Sequence, residues 1–395
     1  MKVLKEKNTT IILENGWIEV DGEAEVFGFP INNVVAKNKS IPVYIKKGEI
    51  KIEGDYIALE GNTIPKSWEK LAKEEYSRIF LYGDVDTGKS SLATYLVNKM
   101  DGLKYVLDLD IGQSDIAHPG AMAFGCAKKT ISISKIKMED GFFIGSNSPM
   151  GKEAKCIRGV ARLNSKLNER MNNDDKLIVD TTGWVKGKKA RNYKLAKIEI
   201  LNPDVVVCFD PFIAKFLDSN SNFDVFNVES FVVKKRSREQ RISIRSKLYE
   251  EWLENAVERE FKIGEVKLGN TTLFKGKLIE EDDFIKDILD SKVLFVEKGY
   301  DFLNVCVEEE TEVSYEIIKA LKNVFNVEDV CIFSLGQLKG LILGLYSERY
   351  LGMGILKEIN QKSIKVLTKI QSNVKLIEFG EFKLENMKEY IVRVP

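Results

Sequence analysis

The stretch Leu81–Ala93, LYGDVDTGKSSLA, constrains this chain more than any other. It fits the spacing G-x-x-x-x-G-K-[ST] at Gly83, Gly88, Lys89 and Ser90, the pattern of a loop that wraps a polyphosphate. Two glycines let the backbone curl until successive N–H groups point inward at phosphate oxygens. Lys89 adds a cation for the β- and γ-phosphates, and the Ser90 hydroxyl is a candidate ligand for Mg²⁺. The candidate nucleotide site is therefore Gly83, Asp84, Val85, Asp86, Thr87, Gly88, Lys89, Ser90 and Ser91. A chain this long throws up the bare pattern by chance about one time in a hundred, so context decides. Arg78–Tyr82 (RIFLY) is a strand-like apolar run, and Leu92, Tyr95 and Leu96 follow at helical spacing. Strand, glycine loop and helix come in the order that puts a positive helix end on the anion.

The chain has 395 residues, enough for two or three domains. Its formal net charge is zero, so any nucleic-acid binding must rely on local patches. The five cysteines form no C-x-x-C pair and read as reduced, mostly buried thiols of an intracellular protein. MKVLKEKNTT lacks the apolar core of a signal peptide, and no apolar run is long enough for a bilayer, so the expected location is cytoplasmic, with no membrane partner.

Residues 1 to about 70 have β character, in short runs split by Asn-Gly, Asp-Gly and Lys-Gly, which predicts a small sandwich or barrel. Pro65–Tyr76 reads as a helical connector. Residues 71–255 alternate strands with helices, the pattern of an α/β domain with a mainly parallel sheet. Strands are expected at Lys104–Leu109, Leu177–Asp180 and Val205–Phe209. Asp108, Asp110 and Gln113 lie at or just past the end of one of them, where open α/β sheets bind ligands. Thr181, Thr182, Gly183 and Trp184 follow another.

Within Ser230–Trp252, Lys234, Arg238, Arg241 and Arg245 share one helical face. A solvated surface is the plain explanation; beside a phosphate site the stripe is a candidate closing lid. Residues 256–395 return to β punctuation, with one helical interval near Ser314–Val324 and glycines in Leu341–Ile355 where strands could bend or pack closely. The expected fold class is an α/β P-loop kinase domain flanked by small N-terminal and C-terminal β domains.

Together these motifs resemble the polynucleotide 5′-hydroxyl kinase family, and the likeness spans nearly the whole chain. DLDIGQ at Asp108–Gln113, GSNSP at Gly145–Pro149, DTTGW at Asp180–Trp184 and GLILGL…YLGMGIL carry it, in order, beside the phosphate loop. The resemblance implies an ATP- and Mg²⁺-dependent enzyme acting on the 5′-hydroxyl ends of RNA, with DNA as a further candidate acceptor. It implies that Asp110 takes the acceptor proton or orders Mg²⁺, supported by Asp108 and Gln113. Thr181, Gly183 and Trp184 would clasp the acceptor nucleotide, and Arg241 and Arg245 would be the spaced arginines of the lid. Ser146 and Asn147, ahead of Ser148, stand where many relatives carry His and Thr, which separates the acceptor contacts there from the family pattern. His118, the one histidine, reads as a packing residue of its HPG turn.

The physics of phosphoryl transfer asks for the same parts: cations on the γ-phosphate (Lys89, Arg241, Arg245) and a base for a hydroxyl that is a poor nucleophile while protonated. Trp184 is a candidate stacking platform for a terminal base. Two rivals are a GTPase, suggested by D-x-x-G at Asp180–Gly183 but lacking a guanine-reading N-K-x-D, and a non-catalytic ATP-bound scaffold of an RNA-processing complex.

Overall fold

The computed structural model describes residues 1–37, 40–218, 223–230, 236–279, 283–289 and 291–395. By packing, the chain forms two units, and the N-terminal sheet falls in the same unit as the phosphate loop. The first unit is Met1–Ala117, Met122–Asp140 and Met150–Ile244; the second is His118–Ala121, Gly141–Pro149 and Arg245–Pro395. Among the described residues no helix is long and apolar enough to cross a membrane.

The N-terminal runs are fewer and longer than their punctuation suggests: β1 (Lys2–Val26), β2 (Phe29–Ala36) and β3 (Ile41–Glu60), in the order β2-β1-β3. The glycines are bends within strands rather than turns between them. Gly16 pairs with Gly54 and Gly22 with Gly48. A Cβ on Gly16 would lie 2.0 Å from the Glu53 carbonyl oxygen, so only glycine lets the strands cross so closely there. The bends fold β1 and β3 around Ile11, Leu13, Ile18, Val43, Ile50 and their neighbours.

A short helix, α1 (Lys66–Leu71), leads into β4 (Arg78–Tyr82), α2 (Lys89–Lys99), β5 (Lys104–Leu109), β6 (Ala121–Ala127), β7 (Asp140–Phe143), α3 (Glu153–Arg170), β8 (Lys176–Thr181), α4 (Lys188–Leu201), β9 (Val205–Cys208), α5 (Pro211–Asp218), β10 (Asp224–Asn227) and α6 (Arg238–Leu253). The sheet order is β10-β9-β4-β8-β5-β6-β7. Strands β10, β9, β4, β8 and β5 pair in parallel, and β6 runs antiparallel to β5, so the sheet is mixed. Strand β4 sits between β9 and β8, which fixes the phosphate loop at mid-sheet with the tip of β8 alongside. Its strand is buried from Ile79 to Tyr82, as a central parallel strand covered on both faces requires.

The second unit holds two sheets. In one, Val257–Lys262, Ser363–Thr368, Tyr350–Ile359, Leu341–Tyr346 and Leu376–Glu385 lie side by side. Gly344 is where a Cβ would meet the Phe143 ring at 2.4 Å, so close packing explains that glycine. The other has four strands and the helix Tyr315–Phe325, whose Ser314 cap accepts from Ile317 N at 3.4 Å. His118 is the packing residue expected. It is fully buried, its Nδ1 lies 2.7 Å from the Pro119 carbonyl, and its Nε2 meets the Tyr350 hydroxyl.

Candidate active site

The site begins where β4 ends. Asp86 and Gly88 adopt left-handed backbone (φ 54° and 94°), and α2 starts at Lys89. Lys89 is buried and folded onto its own loop, donating to the Asp84 carbonyl at 2.7 Å and the Gly83 carbonyl at 3.1 Å. Thr87 Oγ1 donates to the Asp84 carbonyl at 3.0 Å, and Asp84 Oδ1 accepts from Val85 N at 2.7 Å. Gly88 thus closes a loop whose carbonyls hold the lysine until a better acceptor arrives.

The neighbouring strand supplies a carboxylate that the motif reading left out of the site. Ser90 Oγ donates to Asp180 Oδ2 at 2.6 Å, from the first turn of α2 to β8. Asp180 Oδ1 accepts from Thr181 N at 2.8 Å. Burial pushes the Asp180 carboxyl up to about 6, against the pull of the Lys89 charge and the Ser90 hydrogen bond. An apolar run closing on aspartate, LIVD, was the signal available in the sequence.

Asp108 on β5 is in register with Asp180 on β8. It is 1% exposed, and its oxygens accept from Asp110 N (3.0 Å), Ser114 Oγ (2.8 Å), Asp115 N (2.6 Å) and Ile116 N (3.1 Å). Burial, then the charges of Asp180, Asp115 and Asp110, push it up to about 8. Asp108, expected as a support for Asp110, is the pivot of the turn that carries it. Asp110 is half-buried, and its Oδ1 accepts from Gly112 N (2.9 Å) and Gln113 N (3.2 Å). Its Oδ2 has no hydrogen-bond partner among the described residues, and Gln113 Nε2 is buried without one.

The turn after β8 lies directly on the phosphate loop. A Cβ on Gly183 would sit 2.5 Å from Val85 N, so glycine is required for the approach. Thr181 Oγ1 donates to the Leu81 carbonyl at 2.7 Å, tying the turn to β4. Beneath it, the fully buried Lys194 donates to Thr181 Oγ1 and to the Thr182 carbonyl, each at 2.6 Å. Burial pushes Lys194 strongly down, helped by the charges of Lys197 and Lys89. Trp184 is half-buried, its ring 5.7 Å from that of Tyr193, over which Lys197 Nζ lies at 4.0 Å. These two lysines were not foreseen, because a helical lysine is ordinarily a solvated residue and is rarely fully buried.

The arginine stripe divides. Lys234 lies outside the described residues. Arg241 Nη1 is 3.3 Å from Asp86 Oδ2 and donates to the Arg236 carbonyl at 2.8 Å. Arg236 itself grips Asp86, with Nε and Nη2 each 2.7 Å from Oδ1 and its backbone N donating to Oδ2 at 3.0 Å. Arg245 belongs to the second unit, where it pairs with Glu389 through Nε (3.0 Å) and Nη2 (2.9 Å). Burial alone would raise Glu389, but hydrogen bonds from Arg245, Asn147 and Tyr249 outweigh it and hold it low. Ser146, Asn147 and Ser148 also lie in the second unit, where Ser146 Oγ donates to the Ser148 carbonyl at 3.1 Å. Within the first unit, then, the structure gathers the phosphate loop, the Asp108–Gln113 turn, Thr181–Trp184 and Arg241.

Residues 83–255 match the family described as mRNA cleavage and polyadenylation factor CLP1 P-loop. Over 335 residues the chain is 30% identical to a polyribonucleotide 5′-hydroxyl-kinase of Pyrococcus furiosus, covering 80% of this chain and 89% of that protein. It is 27% identical to one of Methanocaldococcus jannaschii over 330 residues, 79% of this chain and 88% of that one. The fold is also that of Clp1p as solved with Pcf11p, with a TM-score of 0.65 over 97% of this chain and 99% of that one, at 13% identity. With the glycine loop, the aspartate turn and the tryptophan turn on one sheet, the chain belongs to the polyribonucleotide 5′-hydroxyl-kinase family.

Proposed function

We infer that the chain is an ATP-dependent kinase that moves the γ-phosphate of ATP to the 5′-hydroxyl end of RNA. The observation that carries this reading is Oδ2 of Asp110, which accepts no hydrogen bond among the described residues, on a turn rooted in β5, one strand over from the Ser90–Asp180 pair beside the phosphate loop. A loop that only stores a nucleotide has no use for such an oxygen.

In the transfer, the acceptor 5′-oxygen forms a bond to the γ-phosphorus as the bond from that phosphorus to the β–γ bridging oxygen breaks, releasing ADP. The hydroxyl proton goes to Asp110, the available base. Lys89 exchanges its loop carbonyls for phosphate oxygens, and Arg241 adds a second cation. Ser90 and Asp180 fit Mg²⁺: one hydroxyl and one carboxylate leave most of the coordination shell to phosphate and water, as this ion prefers. Bound there, the ion would neutralise phosphate charge. Asp110, expected either as base or as metal ligand, is left to the proton, because Asp180 is the carboxylate at Ser90. Trp184 and Gly183 would seat the terminal nucleotide against the loop.

The test is incubation of the purified chain with γ-labelled ATP and matched oligonucleotides: 5′-hydroxyl RNA, 5′-hydroxyl DNA and 5′-phosphorylated RNA. Label on the 5′-hydroxyl RNA and none on the 5′-phosphorylated strand is the expected result. Absence of label from every strand would leave a nucleotide-binding scaffold.

A further inference from the structure

A chain of zero net charge has to bind a polyanion through a local patch, and the first unit carries one beside the tryptophan turn. From Thr181 to Ile198 there is no acidic residue, against six basic ones: Lys186, Lys188, Lys189, Arg191, Lys194 and Lys197. Lys194 and Lys197 are buried, as described above. The other four are exposed, Lys186 with 89% of its side chain open to solvent. Among the described residues it pairs with Asp84 of the phosphate loop, at 3.8 Å, which places the patch at the edge of the site.

Local stability does not explain these charges. Helix α4 starts at Lys188 behind a glycine with no side-chain cap and no acidic residue in its first turn. Cations at a helix N-terminus oppose the helix dipole, so Lys188, Lys189 and Arg191 weaken the element that carries them. The turn between Asp180 and the patch also holds an unspent group: Thr182 is 4% exposed, and its buried hydroxyl has no hydrogen-bond partner among the described residues. Native folds rarely leave such a group dry.

We propose that Lys186, Lys188, Lys189 and Arg191 form the track for the single-stranded polynucleotide downstream of the acceptor end. This rests on the kinase reading. The nucleotide carrying the 5′-hydroxyl is seated at Gly183 and Trp184, and the phosphodiesters that follow run over the exposed basic groups. Selectivity for a polymer over a mononucleotide then comes from counterion release rather than base identity.

The experiment compares a short acceptor, a nucleoside 3′-monophosphate with a free 5′-hydroxyl, with a 5′-hydroxyl 12-mer RNA. Three proteins are used: wild type, the quadruple variant K186Q/K188Q/K189Q/R191Q, and a control, K128Q/K129Q, at exposed lysines elsewhere in the same unit. The wild type should show a lower KM for the 12-mer than for the mononucleotide. In the quadruple variant that ratio should fall toward one, and the slope of log KM against log salt should flatten by up to about 3, at roughly 0.7 per phosphate contact on a single strand. Its thermal midpoint should match or exceed wild type, since the substitutions relieve the helix end. An unchanged ratio and slope in the quadruple variant, or an equal loss in the control, would overturn the track. No transfer by wild type to either acceptor would overturn the kinase reading, and the track with it.

Discussion

Ser90 donates to Asp180 at 2.6 Å, and this hydrogen bond joins the start of the phosphate-loop helix to the strand beside it. It also brings together the two groups suited to Mg²⁺. Asp180→Asn should keep the fold, because the amide oxygen can accept from Thr181 N while its NH2 donates to the Ser90 hydroxyl, which can act as acceptor. It should lower kcat by roughly a hundredfold or more, the usual scale for losing a fixed electrostatic partner of the transferring group. Steady-state kinetics with a thermal melt on the same sample checks both halves.

Gly183 and Val85 make a second tight relationship. Gly183→Ala drives a methyl group to 2.5 Å from Val85 N, and one of the two turns has to move. Overpacking of this kind costs about 1–3 kcal/mol, so ATP binding should weaken by roughly tenfold. Nucleotide titration reads this directly, and unchanged affinity would mean that the turn after β8 yields instead of the loop.

Asp86 is an anchor as well as part of the loop. With 4% of its side chain exposed, it takes Arg236 on both oxygens and Arg241 on one. Asp86→Ala releases the start of α6 and misplaces Arg241, which should lower kcat by about tenfold to a hundredfold, the scale of a small misplacement near the reacting atoms. In a double-mutant cycle, Asp86→Ala should add little to Arg241→Ala if both act through the same guanidinium.

His118 supplies a pH test. Burial lowers it to about 4, with the Pro119 carbonyl pulling weakly the other way. A histidine held below its unfolded value of about 6.5 binds its proton more readily in the unfolded chain. Stability therefore rises with pH between about 4 and 6.5, and acidification across that window should cost up to roughly 3 kcal/mol from this residue. Denaturant melts at pH 7 and pH 4.5 test the sign. In His118→Phe, which keeps a ring among Phe143, Trp252 and Tyr350, the histidine's share of that dependence should vanish.

Much of the central sheet was legible in the sequence because its strands are short apolar runs with one environment on both faces. Arg78–Tyr82 and Lys104–Leu109 occur with the bounds that the pattern implies. Strand β6, AMAFGCA, was not legible; it contains Gly125, whose missing Cβ makes room for the Lys137 carbonyl at 2.2 Å, a tertiary contact that no local pattern announces. The N-terminal glycines misled for a related reason, since a glycine at a crossing of strands and one in a turn look alike in sequence. The phosphate loop and the Asp110 turn could be found because their spacing is dictated by chemistry within one segment. Asp180 and Ser90, 90 residues apart, and Asp86 and Arg236, 150 apart, meet only through sheet order and the placement of the segment leading into α6.

The most direct measurement is single-turnover transfer from γ-labelled ATP to a 5′-hydroxyl RNA by wild type and by Asp110→Asn, with ATP affinity measured on both. The geometry predicts labelled 5′ ends from wild type, and for the variant an unaltered ATP affinity with transfer slower by about a hundredfold or more, the contribution of a positioned base. Transfer by Asp110→Asn at the wild-type rate would contradict it.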